Sequence, residues 1–274
     1  MEIIKPTSLS EIFKNIEDIR KQYSTHEQKY HSGRTLTKEI EILYRGVSDS
    51  DYSLKTTLER KSSKEYSVTA YIRVALQGLK KIEAFTGKNW EIKSTSEILK
   101  DINAGGDHFD VHLPCYDYLV YLRHHGFPSP LLDWTESPFI ALFFAYATSL
   151  PGIDAAVFCY IEKPESYKEK TGGKPQISMQ TSYVNTHKRH FAQKAKYTIS
   201  TVFSLESREH IFCPHEKVFS KDNPTQDILY KIILPAKFRT DVLKTLNDNN
   251  IDFFTLFHDE DSLIKSIAWN CFDL

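Results

Sequence analysis

Three short clusters hold the side chains that can do chemistry. The first is Tyr44-Arg45-Gly46. An arginine followed by a glycine at the end of an apolar run can aim a planar fork of N–H donors at a phosphate or carboxylate. It can equally be a surface arginine beside a turn. The second cluster runs from His124-His125-Gly126 through Leu131-Leu132-Asp133-Trp134-Thr135. Prolines fix its backbone on either side of Ser129, and Gly126 frees it. A carboxylate between Leu132 and Trp134 needs a partner, so Asp133 either braces the loop, Arg45 included, or meets a ligand. Thr135 can cap a helix or hydrogen-bond a ligand, and His124 can be a base or a ligand contact. The third cluster is the basic stretch from His187 to Thr198, with cations at Lys188, Arg189, Lys194 and Lys196 and aromatics between them. It can track a nucleic-acid backbone or be a solvated face. Gln193, within it, offers both an acceptor and a donor.

Several chemistries are excluded by what is missing. Ser129 lies in no G-x-S-x-G elbow, and neither a P-loop nor a G-x-G-x-x-G turn occurs. The four cysteines (Cys115, Cys159, Cys213, Cys271) are too scattered for a C-x-x-C zinc site, and no H-E-x-x-H is present, so no metal is expected. The N-terminus shows no secretory h-region, and the longest apolar run, Phe139 to Ala147, is too short for a bilayer. A cytoplasmic protein with reduced, mostly buried cysteines and no membrane contact is the expectation. A net charge of −1 gives no global field for nucleic acid, though a local groove stays open.

Periodicity supplies the elements that must position these clusters. Helical spacing predicts helices over 8–23, 67–85, 116–125, 240–249 and 263–272. Ser137 as N-cap and Pro138 at the first position start another, apolar almost all round and therefore central. Strands are predicted over 40–46, 154–161, 196–203 and 228–234, with loops at 24–38 and 163–176. No repeat or low-complexity linker interrupts the 274 residues, which fits one α+β domain with a helical N-terminal elaboration. Phe253, Phe254 and Phe257 near the C-terminus suit core packing better than an interface.

In their order and separation, the clusters resemble the FRG domain. Tyr44-Arg45-Gly46 stands as its Phe/Tyr-Arg-Gly motif. Its central hallmark is matched by His124, Gly126, Pro128, Ser129, Leu131 to Thr135, Pro138, Ala141, Phe144 and Ala145. Its later element looks like Arg189 or His190 through Ala192-Gln193 to Tyr197-Thr198, and Lys194-Ala195 departs from the usual glutamine-glycine. The resemblance covers most of 40–265, and the domain division it suggests is 1–38 as the extension and 39–274 as the FRG domain.

That layout is similar to ADP-ribosyltransferases, which implies a small mixed or antiparallel split β-sheet flanked by helices. It also implies NAD as co-substrate. Tyr44, Arg45, Gly46, His124, Thr135 and Tyr197 would hold NAD, with Arg45, Asp133 and Gln193 at the reacting ribose. Lys188, Arg189, Lys194 and Lys196 would meet a substrate. The implied role is a toxin, in a toxin–antitoxin or phage-defence system, that modifies nucleic acid (RNA ahead of DNA) or protein and is restrained by an antitoxin. No E-x-E or Q-x-E stands at Gln193, so Asp133, Glu136, Glu206 or Glu209 would have to supply the negative charge. The alternatives are a non-catalytic FRG binding module and a metal-independent ribonuclease using His124 and His190.

Overall fold

The computed structural model describes residues 1–23, 25–29, 35–104, 112–162, 173–180, 188–220 and 227–272, with the backbone alone at 25–29, 35–39, 103–104 and 188. The chain opens with β1 (Glu2–Ile4), α1 (Leu9–Tyr23), the hairpin β2 (Thr25–Lys29) and β3 (Thr35–Glu39), and β4 (Ile42–Val47). A helical stretch follows: α2 (Thr57–Lys61), α3 (Val68–Leu76), α4 (Leu79–Thr86), α5 (Thr95–Ala104) and α6 (Tyr116–His124). Then come β5 (Leu132–Thr135), α7 (Pro138–Ala147), β6 (Ala155–Ile161), β7 (Gln176–Gln180), α8 (Lys188–Ala192), β8 (Ala195–Ser204) and β9 (Glu209–Phe212). A 3-10 turn at His215–Phe219 leads to β10 (Ile228–Leu234), and α9 (Arg239–Asp248), α10 (Phe253–Phe257) and α11 (Glu260–Phe272) close the chain.

Eight strands form one mixed sheet in the order β1-β10-β6-β4-β5-β8-β7, with β9 also on β8. Only β1 on β10 is parallel; every other pairing is antiparallel. The sheet is nearly two sheets. β4 pairs with β6 along its whole length, yet it meets β5 through the single pair Tyr44↔Thr135. Beyond that pair the strands diverge and leave a seam.

Packing follows from strand alternation. In β6, buried throughout, Ala155, Val157, Cys159 and Ile161 point to one face and Ala156, Phe158 and Tyr160 to the other. The first face is covered by α1 (Ile12, Ile16), α7 and α9 (Val242, Leu246). On β8 the corresponding face, Ala195, Tyr197 and Ile199, is covered instead by α3, α5 and α6. Two groups of helices therefore sit on the two halves of the sheet, with the seam between them. The third cluster, including Leu43, Leu132, Trp134 and Phe158, runs behind both halves and holds them together.

α7 forms where Ser137 and Pro138 predict it: the Ser137 hydroxyl accepts from the Ile140 N–H, and Pro138 sits in the first turn. Other expectations change. The 24–38 loop contains the β2–β3 hairpin, whose polar alternation gave no apolar signal. The single helix over 67–85 is two, broken at Gln77-Gly78. Leu132 to Thr135, read as loop, is the strand β5, because Pro128 and Pro130 punctuate only its approach. An eight-stranded sheet is not small, and β1 and α1 make the N-terminal segment part of the sheet and of its main core. Phe253 and Phe257 pack on that core, while Phe254 is exposed. All four cysteines are free; Cys159 and Cys213 are buried. Among the described residues no helix is long and apolar enough to cross a membrane.

Candidate functional site

The seam opens into a cleft of about 460 Å³, a volume suited to a nucleotide-sized ligand. Its floor is the diverging ends of β4 and β5; α7 (Phe144, Thr148) and α6 (Arg123, His124) flank it, and α2 (Thr57, Arg60) adds a further wall. Arg45, Asp133, Gln193, Tyr44, Gly46, His124, Thr135 and Tyr197 all line this one space.

Strand alternation explains the Tyr-Arg-Gly motif. Tyr44 turns toward α1 and α7 and is buried in the main core, so its part is to anchor the strand. Gly46 faces the same way and lets α7 approach: a Cβ there would lie 2.0 Å from the Ala141 carbonyl oxygen and 2.6 Å from the Ala145 nitrogen. Arg45 points the opposite way and crosses the seam. Its Nη1 donates to the Asp133 carbonyl at 2.8 Å and lies 3.8 Å from the Asp133 carboxylate. Its Nε is buried with no hydrogen-bond partner among the described residues. Burial lowers the Arg45 pKa to about 10 against the pull of Asp133, which leaves the guanidinium charged at neutral pH. Tyr44 and Gly46 thus position Arg45, and both also line the cleft.

Asp133 is held by a residue the sequence reading did not single out. Arg123, 9 % exposed, grips both carboxylate oxygens through Nε and Nη2, and its Nη1 reaches the Thr57 hydroxyl at 3.3 Å. Burial raises the Asp133 carboxyl; Arg123, with Arg45 behind it, overrides that and holds it below the usual carboxylate range. Asp133 is therefore an ionised brace and not a free nucleophile or base. Thr135 is also engaged: its hydroxyl donates to the Gln193 carbonyl at 2.7 Å and accepts from the Ser137 N–H at 3.1 Å. The Gln193 amide nitrogen donates to the Leu256 carbonyl at 3.0 Å, which fixes the side chain in the cleft wall. The Tyr197 hydroxyl meets His124 Nε2 at 3.1 Å, and burial raises the phenol well above its ordinary value.

Trp134 seals the floor. Its Nε1–H donates to the Thr198 hydroxyl at 2.8 Å, and the same hydroxyl meets His215 Nε2 at 2.9 Å. His215 is fully buried behind Arg45; burial and the arginine's charge push its pKa down to about 3, so it is neutral. No sequence pattern marks His215, which lies in a 3-10 turn some eighty residues from Trp134.

The basic stretch lends Gln193, Ala195 and Tyr197 to the cleft, but none of its described cations. Lys196, 13 % exposed, is bound between Glu41 at 2.7 Å and Glu136 at 3.1 Å. Arg189 pairs with Asp259, donates to the Phe257 carbonyl and lies over the Phe257 ring, so it docks the C-terminal helices. Lys194 is exposed, ends α8 with φ 45°, and lines no part of the cleft. The Lys188 side chain and His187 lie outside the described residues. Glu136 is taken by Lys196, and Glu206 and Glu209 belong to the β8–β9 turn and strand. His190 is buried against Tyr197, with ring centroids 5.9 Å apart, and does not line the cleft.

Among the described residues the cleft's charge is set by four side chains: Arg45, Arg60 and Arg123 against Asp133, an excess of two positive charges. Arg123 engages Asp133 and Thr57 through all three of its nitrogens. Arg45 keeps donors in reserve, and Arg60, exposed on α2, makes no ion pair among the described residues. Neither Arg60 nor Arg123 carries a sequence signal, since each reads as an ordinary basic residue in the last turn of a helix. Among the described residues no group of histidine, cysteine and acidic side chains could hold a metal ion.

Residues 40–152 match the family model of the FRG domain. That span contains Tyr44-Arg45-Gly46, Arg60, Arg123, the Asp133 loop and α7, so among the described residues it supplies every charged residue of the cleft. No curated protein and no solved structure matches the chain.

Proposed function

We propose, with residues 40–152 as an FRG domain, that the seam cleft binds NAD through its pyrophosphate and serves ADP-ribosyl transfer. The sheet is then a split sheet of ADP-ribosyltransferase type. The carrying observation is the excess of two positive charges in the wall, against one negative charge on each phosphate of a pyrophosphate. Arg45 and Arg60 are the arginines with donors to spend; Arg123 and Asp133 hold the frame.

NAD supplies an ADP-ribosyl group whose bond to nicotinamide breaks with the electron pair leaving on the ring. Gln193, with its amide nitrogen on Leu256, keeps its oxygen for a carboxamide N–H. His124, held by the Tyr197 hydroxyl, is the imidazole in the wall that takes the acceptor's proton. The acceptor is nucleic acid or protein, and a toxin of this kind is held in check by an antitoxin.

A second reading, a non-catalytic FRG binding module, is favoured by one observation: among the described residues the only carboxylate in the wall, Asp133, is clamped by Arg123. Titration calorimetry with NAD, combined with nicotinamide release and label transfer to RNA, DNA and protein, separates the two. We expect binding, label transfer and at least a tenfold loss of affinity in Arg60→Ala with the fold intact. Binding without nicotinamide release establishes the module. The absence of binding overturns both readings.

A further inference from the structure

Five aromatic side chains line the cleft, and four have their surfaces occupied. Tyr44, Trp134 and Tyr197 are buried, and Phe144 packs edge-on against Phe143 and Phe257. Tyr52 differs. It is 54 % exposed, contacts no other ring among the described residues, and lines the same cleft as Arg45 and Arg60.

Its backbone is pinned although its ring is open. The Tyr52 carbonyl accepts from the buried Lys231 ammonium at 3.1 Å, and Lys231 is itself held over the Phe158 ring. The Tyr52 N–H donates to the Asp49 carbonyl at 3.0 Å, and the Ser50 N–H donates to the Asp154 carbonyl. Two residues on, Leu54 is buried in the core behind the sheet, and its N–H donates to Glu216 at 3.0 Å. A large ring left mostly open on a loop held by these hydrogen bonds is suited to a flat ligand, because less freedom remains to be lost on binding.

We propose that Tyr52 is the stacking platform for the base of a nucleotide whose phosphates lie on Arg45 and Arg60. The cleft then selects base-carrying nucleotides over sugar phosphates and inorganic phosphates. This rests on the phosphate-binding reading of the cleft and extends it to the other end of the ligand. Stacking uses the ring face and not the hydroxyl, so phenylalanine serves as well as tyrosine.

The test is titration calorimetry of ADP and inorganic pyrophosphate against the full chain, Tyr52→Ala and Tyr52→Phe. The expected result is that Tyr52→Ala weakens ADP about tenfold, leaves pyrophosphate unchanged, and is rescued by Tyr52→Phe. If Tyr52→Ala leaves the preference for ADP over pyrophosphate unchanged, the stacking role is wrong and the phosphate site stands. If neither ligand binds the unmodified protein, the phosphate site falls and the stacking role with it.

Discussion

The seam cleft and the segment from Arg189 to Lys196 each hold three cations among the described residues, and they spend them in opposite ways. In the cleft, Arg45, Arg60 and Arg123 face one carboxylate, and two positive charges are left over. Between α8 and β8, Lys196 is shared by two glutamates and Arg189 is taken by Asp259, which leaves only Lys194 facing solvent. The density of lysine and arginine along a chain therefore says little about where charge is available. A cation fastened to acids from distant segments is a structural tie, whereas one whose donors outnumber its partners can take a ligand.

The sharpest way to break the cleft half of this comparison is Gly46→Ala. The added methyl would meet backbone atoms of α7, which cannot rotate away, so we expect a loss of at least about 3 kcal/mol in denaturant unfolding, with the strand and helix forced apart. A loss under about 1 kcal/mol would show that the seam is looser than the close approach implies.

A matched pair probes the clamps directly. Asp133→Asn leaves Arg123, 9 % exposed, without its anion, and should cost about 2 kcal/mol, below the fully buried case because the carboxylate edge faces the cleft. Asp259→Asn removes the partner of a more exposed arginine that keeps the Phe257 carbonyl, so its effect should be clearly smaller. Equal shifts in the two unfolding midpoints would erase the distinction between the regions.

The smallest effect is a gain. Lys194 adopts a left-handed conformation at the end of α8, a position that favours glycine. Lys194→Gly should stabilise the protein by about 0.5 kcal/mol, the relief of strain exceeding the added freedom of the unfolded chain. Since Lys194 lies outside the cleft wall, nucleotide affinity should stay unchanged; a loss would return the basic segment to the binding site.

Much of the site was legible from residue types. Tyr44-Arg45-Gly46, the Asp133 loop and Gln193 were singled out together, and the structure gathers them around one cleft. Their roles were less legible. Asp133, between apolar neighbours, was bound to need a partner, but that the partner would be Arg123 depends on how α6 lies against β5. Lys196 looked like part of a basic surface because Glu41, far away in sequence, gives no local sign of reaching it.

Composition and spacing alone determined the apolar central helix with its Ser137-Pro138 start, the buried strand predicted over 154–161, and a Tyr-Arg-Gly motif ending in a residue without a Cβ. These depend on short-range physics: capping, alternation and the space a side chain needs. Only the tertiary structure decided that β4 and β5 touch at one pair and then separate, and that Arg45 crosses the gap between them. Only it decided which cations keep donors free, because ion pairs and strand pairings form between segments whose separation along the chain carries no record of their meeting.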